Sequence, residues 1–204
     1  MDQEGVIKFH MEHTPAEPLP ADELSELNRW RAWMFDRKLI GIVETPDGEV
    51  GYGNISTRRG GGFVITGSQT GDLAELTAAH YTLVTEANPE ENKVVSRGPI
   101  KPSSESLTHA VLYQLDASIR WVMHAHQASI WRAAKDLGLP LTAAEVPYGT
   151  PEMAAETVRL FRETDVRQIG MFAMAGHEDG IVSFGESAEK AAAVMEQYLR
   201  MVGE

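Results

Sequence analysis

The sequence predicts a three-layer α/β protein, a central and mostly antiparallel sheet with helices on both faces. Two observations lead there: strand-like pairs joined by Gly- and Asn-rich turns, and helical stretches scattered among them without strict βαβ alternation. A third is size, since 204 residues with 43% hydrophobic content suit one domain with its own core.

In chain order, residues 1–20 read as an N-terminal arm or strand, with a linker-like TPAEPLP at 14–20, and residues 21–204 as the single domain. His10 and His13 are expected to be disordered. From Ala21, Leu24, Leu27, Trp30 and Met34 keep the three- and four-residue spacing of an amphipathic helix that ends before Gly41. Residues 53–57 and 62–66 form a hairpin across RRGG, and 81–97 a second across NPEEN. A helix follows at 103–115 with a serine available as N-cap, then a strand at 119–124. A helix at 127–137 is closed by Gly138, and Thr150-Pro151 starts another. Strands near 170–175 and 180–184 precede a last helix at about 187–201.

Composition removes several function classes. Eighteen Lys+Arg against 30 Asp+Glu give a net charge of -12, which repels nucleic acid and anionic membranes. An anionic substrate therefore needs local compensation from a metal, an Arg or backbone amides. The absence of Cys excludes disulfides, thiol nucleophiles and thiolate zinc, so any metal must be held by His and carboxylate. With no secretory pattern in the first residues and no run long enough to span a membrane, the protein is expected in the cytoplasm, without membrane or nucleic-acid partners.

Three stretches carry chemistry. In WVMHAHQASIW, an extended backbone places His124 and His126 on the same face as Val122, where two imidazoles can chelate one ion; a pair of core histidines is the alternative. His177, in the Gly-flanked AGHEDG, is placed to approach from a neighbouring strand, whereas His80 and His109 have no partner pattern and read as structural. In KPSSES, Ser103 and Ser104 stand at a helix start, a ready anion site, and Glu105 can bind a metal or act as acid/base; a plain serine cap with a first-turn acid is the simpler alternative. Residues 53–71, GNISTRRGGGFVITGSQTG, could wrap amides and Asn54 around phosphate oxygens, or merely need Gly for turns.

Taken in order, GNIS, ITGSQTG, KPSSE, HAH and GHEDG resemble the class II aldolase/adducin family over residues 21–201. The resemblance implies that His124, His126 and His177 hold Zn2+ or another divalent metal, with Glu105 as the acidic residue that binds the ion or moves a proton. It implies phosphate contacts from Asn54, Ser103 and Ser104, and leaves Ser68, Thr70 and Gly71 as candidates in the second loop. The implied activity is aldolase cleavage of a small ketose phosphate through a metal-stabilised enediolate, with epimerisation, dehydration or a non-catalytic, adducin-like assembly role as alternatives. Homotetramers are common in the family. Family aldolases carry a proton-donating tyrosine after the first histidine pair, on a segment that is shortened here; Glu145 and Tyr148 are the candidates to replace it.

Overall fold

The computed structural model describes residues 6–45 and 48–204; the start of the expected arm, residues 1–5, lies outside them. The strands are β1 (His10–Pro15), β2 (Gly41–Thr45), β3 (Gly48–Tyr52), β4 (Asn54–Arg59), β5 (Gly62–Thr66), β6 (Tyr81–Asn88), β7 (Lys93–Gly98), β8 (Trp121–His126), β9 (Met171–Ala173) and β10 (Gly180–Gly185). The helices are α1 (Ser25–Asp36), α2 (Ser106–Leu115), α3 (Ala128–Ala133), α4 (Pro151–Glu163), α5 (Val166–Ile169) and α6 (Ala188–Met201). Eight strands form one sheet in the order β1-β7-β6-β5-β4-β8-β10-β9. β1 joins β7 in parallel, and the other strand pairs of that sheet are antiparallel.

Alternation along the strands divides the interior in two. Trp121, Met123 and Ala125 of β8 pack with α1, α3 and α6 on one face, while Val122 faces the layer of α2, α4 and α5. α6 buries Ala188, Ala191, Ala192, Met195, Tyr198 and Leu199, and its three buried alanines let it lie close to β10. α4 begins as its Thr-Pro pair predicts: the Thr150 hydroxyl accepts from the Met153 amide at 3.3 Å, and Pro151 opens the helix. Thr150→Ala is expected to lower stability by about 1 kcal/mol in urea unfolding; an unchanged midpoint would mean that the hydroxyl does not cap. No helix among the described residues is long and apolar enough to cross a membrane.

Several details differ from the sequence reading. His10 and His13 are ordered, because β1 takes its hydrogen bonds from the edge of β7, and His13 Nδ1 lies 3.0 Å from Ser96 Oγ. The strand takes in Thr14 and Pro15, so the linker is shorter than TPAEPLP. The hairpin of β2 and β3 is an element that the sequence reading lacks. α2 starts at Ser106 without a serine cap: Glu105 stands at the N-cap position, and the Ser103 hydroxyl accepts from the Glu105 amide instead. On α1 the buried stripe is Leu27, Arg31 and Met34, so an arginine occupies a core position and Trp30 is only half-buried.

Candidate functional site

β8 lies between β4 and β10, and its register sets His124 beside Asn54 on one side and Val182 on the other. His124 is buried, and its Nδ1 is 3.1 Å from the Ile181 carbonyl. A carbonyl can only accept, so Nδ1 carries the proton and Nε2 carries the lone pair that a metal requires. That buried Nε2 has no hydrogen-bond partner among the described residues. Burial first, then the neighbouring His177, His126 and His109, hold the His124 pKa well below 6.5 and keep the ring neutral.

His126, two residues on, shares this face, and His177 arrives on the turn between β9 and β10. The ring centroids of His124, His126 and His177 are 4.7 to 5.2 Å apart, and each ring offers a nitrogen within 4.8 Å of the others. Three converging imidazoles, one of them, His124, with a partnerless buried nitrogen, suit a borderline divalent ion such as zinc, and a chain without Cys has no thiolate to compete.

Glu105 connects this cluster to a second feature. Its carboxylate is buried, accepts from Thr108 Oγ1 at 2.7 Å, and has Oε1 3.7 Å from His177 Nδ1. It also lines a polar recess with Asn54, Ser68, Thr70, Gly71, Ser103 and Ser104. The structure thus brings together every residue the sequence suggested for anion binding. Gln69, in the same loop, takes φ of 59°, a left-handed backbone conformation. The amides of Gln69, Thr70 and Gly71 make no hydrogen bond among the described residues. Gly71 must be glycine, because a Cβ there would meet the Gly41 carbonyl oxygen at 2.1 Å.

The two candidates of the shortened segment are placed differently. Tyr148 is buried and stacks on His177 with centroids 4.5 Å apart; its hydroxyl accepts from the Val6 amide at 3.1 Å, and the Lys8 ammonium sits 3.8 Å from its ring centroid. Its ring is thus a wall of the histidine cluster. Glu145 is exposed and makes no hydrogen bond or ion pair among the described residues. Its neighbours nevertheless run along the His177 turn, since a Cβ on Gly176 would meet the Val146 carbonyl at 2.1 Å.

Of the other histidines, His80 Nδ1 accepts from the Thr77 amide at 2.9 Å. His109 is buried, with Nδ1 2.7 Å from Ser56 Oγ, and burial pushes its pKa down to about 3. The pKa in the fold is below the unfolded value of 6.5, so the stability from keeping this ring neutral is complete above pH 6.5 and is lost as pH falls toward 3. Between pH 7 and pH 4, His109→Gln is expected to lose less unfolding free energy than the wild type, by an amount on the order of 3 kcal/mol. Equal losses in urea titrations would refute this role.

Sequence reasoning missed two residues here. Tyr52, at the end of β3, stacks on His126 with centroids 4.9 Å apart and donates its hydroxyl to the Lys38 carbonyl. Only the alternating GEVGY before GNIS hints at a strand there. Arg31 is the other, and its signal is a charged residue four positions after Leu27 and three before Met34.

This arrangement has counterparts among known proteins. The chain is similar to L-fuculose-1-phosphate aldolase from Thermus thermophilus, with 22% identity and a TM-score of 0.64 over 90% of this chain and 92% of that one. YgbL from Klebsiella pneumoniae shows 21% identity and a TM-score of 0.63 over 90% and 88% of the two chains. A sugar-phosphate aldolase from Thermotoga maritima shows 16% and 0.60 over 90% and 97%. At these identities the likeness is one of fold, a mixed but mostly antiparallel sheet with helices around it. The family described as Class II Aldolase and Adducin N-terminal domain matches residues 48–202. That span contains the histidine cluster, Glu105 and the recess, and on it the chain belongs to the class II aldolase and adducin N-terminal domain family.

Proposed function

We propose that the protein is a metal-dependent aldehyde-lyase that cleaves a small phosphorylated ketose by a retro-aldol reaction. The observation that carries this reading is the position of Glu105, which lines the anion recess and also stands 3.7 Å from a histidine of the cluster. Proton transfer, metal binding and anion binding therefore meet at one carboxylate.

His124, His126 and His177 would hold the ion, zinc by donor type, which when bound supplies Lewis-acid stabilisation of charge on the ketose oxygens. The open amides of residues 69–71, with Asn54, Ser103 and Ser104, hold the phosphate and fix the sugar's orientation. They supply the local compensation that a chain of net charge -12 needs for an anionic substrate. When the C–C bond breaks, its electron pair stays with the ketose-derived fragment, and Glu105 returns a proton to that carbon. The proton of the hydroxyl that becomes the aldehyde passes to the Glu145 carboxylate, or to Tyr148 as phenolate, both on the segment beside His177, and exchange with solvent then removes that proton and returns one to Glu105.

A second reading, epimerisation or dehydration on the same site, is supported by the exposed Glu145 beside the His177 turn, a carboxylate free to act on a different substrate proton. The retained three-imidazole cluster argues against an assembly module without chemistry, because a buried imidazole nitrogen without a partner costs stability and returns nothing to a scaffold. An NMR time course of zinc-reconstituted protein with ketose 1-phosphates and pentulose 5-phosphates tests the proposal. Two carbonyl fragments, such as dihydroxyacetone phosphate and an aldehyde, are expected. A rearranged or dehydrated sugar would move the assignment to the second reading, and an unchanged panel would refute both.

A further inference from the structure

Arg31 is 2% exposed, yet among the described residues its guanidinium forms no ion pair. Its donors go to backbone carbonyls of one loop: Thr70 at 2.9 Å, Gly71 at 3.3 Å and Ala74 at 3.0 Å. The cation also lies 4.7 Å from the ring centroid of Phe35, one helical turn further along α1. Asp72 acts on this cation without pairing to it, and all the guanidinium's hydrogen bonds among the described residues go to neutral carbonyls of the recess loop, so its positive charge is presented to that loop.

The chemistry of the peptide group says for what. The Thr70 carbonyl and the Gly71 amide are two ends of one planar peptide. The guanidinium holds the carbonyl end, and Gly71 and Thr70 both line the recess. A hydrogen bond from a cation to the carbonyl polarises that peptide and strengthens its N–H as a donor. The same contact stops the loop from turning its carbonyls, which would repel an anion, toward the recess.

We infer that Arg31 is a positioning residue for the anion recess, fixing from behind the Thr70–Gly71 peptide whose amide binds the substrate's phosphate and supplying positive charge behind that loop. This inference rests on the phosphate reading proposed above. It assigns specificity to a side chain that does not touch the ligand and that the recess motifs do not contain.

The test titrates zinc-loaded protein with inorganic phosphate and follows the amide resonances of Gln69, Thr70 and Gly71 by NMR, in wild type, Arg31→Lys and Arg31→Met. Zinc affinity is measured in parallel by chelator competition. In wild type the three amides are expected to shift and saturate, together with the Arg31 Nε–H signal. Arg31→Lys keeps the charge but loses the planar fork, and is expected to raise the phosphate Kd about tenfold. Arg31→Met is expected to raise it further, and neither variant is expected to change zinc affinity. Wild-type amides that do not respond would overturn the phosphate reading and this inference with it. Wild-type binding with an unchanged Kd in the variants would overturn this inference alone, as would parallel losses of zinc and phosphate, which indicate general loosening. Should neither variant fold, an Arg31 Nε–H signal that stays fixed while the amides of wild type shift is the overturning result.

Discussion

His124→Ala is expected to give a protein that no longer retains zinc and no longer turns over. Wild type is expected to carry about one ion per chain after reconstitution, from a set of three imidazoles with one position left for substrate. Removing one of the three should weaken zinc binding by more than about 100-fold, since losing merely a hydrogen-bonding partner of a ligand already costs about 10- to 100-fold. Activity on whichever ketose phosphate is cleaved should fall in step with metal content. The two metal-free proteins should differ less in stability than the two zinc-treated ones, because the substitution also removes a buried nitrogen without a partner. Metal analysis, chelator competition and thermal melts on the same preparations check all of this. If the variant kept full turnover while losing zinc, the metal would have no part in the reaction.

Glu105→Gln should show the opposite pattern, metal retained and turnover lost. The amide keeps the shape of the carboxylate and can still accept from Thr108 Oγ1, so the turn before α2 stays in place. What it cannot do is carry a proton, and kcat is expected to fall by about 10²- to 10⁴-fold. KM and the phosphate Kd should change little, because the recess keeps its amides and hydroxyls. A fall smaller than tenfold would move the proton transfer to another group. Loss of zinc in this variant would instead make the carboxylate a ligand of the ion.

The parts of this site that are legible in the sequence are those where local geometry and chemistry coincide. His124 and His126 can be paired because a strand has a period of two, whatever its neighbours. Ser103, Ser104 and Glu105 stand out because hydroxyls and a carboxylate crowd a helix start, although in place of the expected serine cap there is a turn that hands the N-cap to Glu105. His177 can be proposed but not placed, since its approach depends on the pairing of β8 with β10 across more than fifty residues.

What stays hidden is tertiary. β1 reads as disordered at His10 and His13 because its stability comes from the free edge of β7, which no local pattern reveals. Tyr148 looks like a turn residue, and only the folded chain brings its ring onto His177. Arg31 sits in plain view on an apolar stripe, where the habit of reading helices by their hydrophobic residues passes over it.

The division of labour between strands and turns has a consequence for how such a site can change over time. His124 and His126 are fixed on β8 in the middle of the sheet, between β4 and β10. Most of the recess is built from the turns at residues 67–71 and 103–105. Turns tolerate replacement and insertion far better than interior strands. A lineage, or an engineer, can therefore alter the proposed anion recess while leaving the histidine cluster as it is, and libraries aimed at new substrates belong in those two turns with Glu105 and Gly71 held fixed.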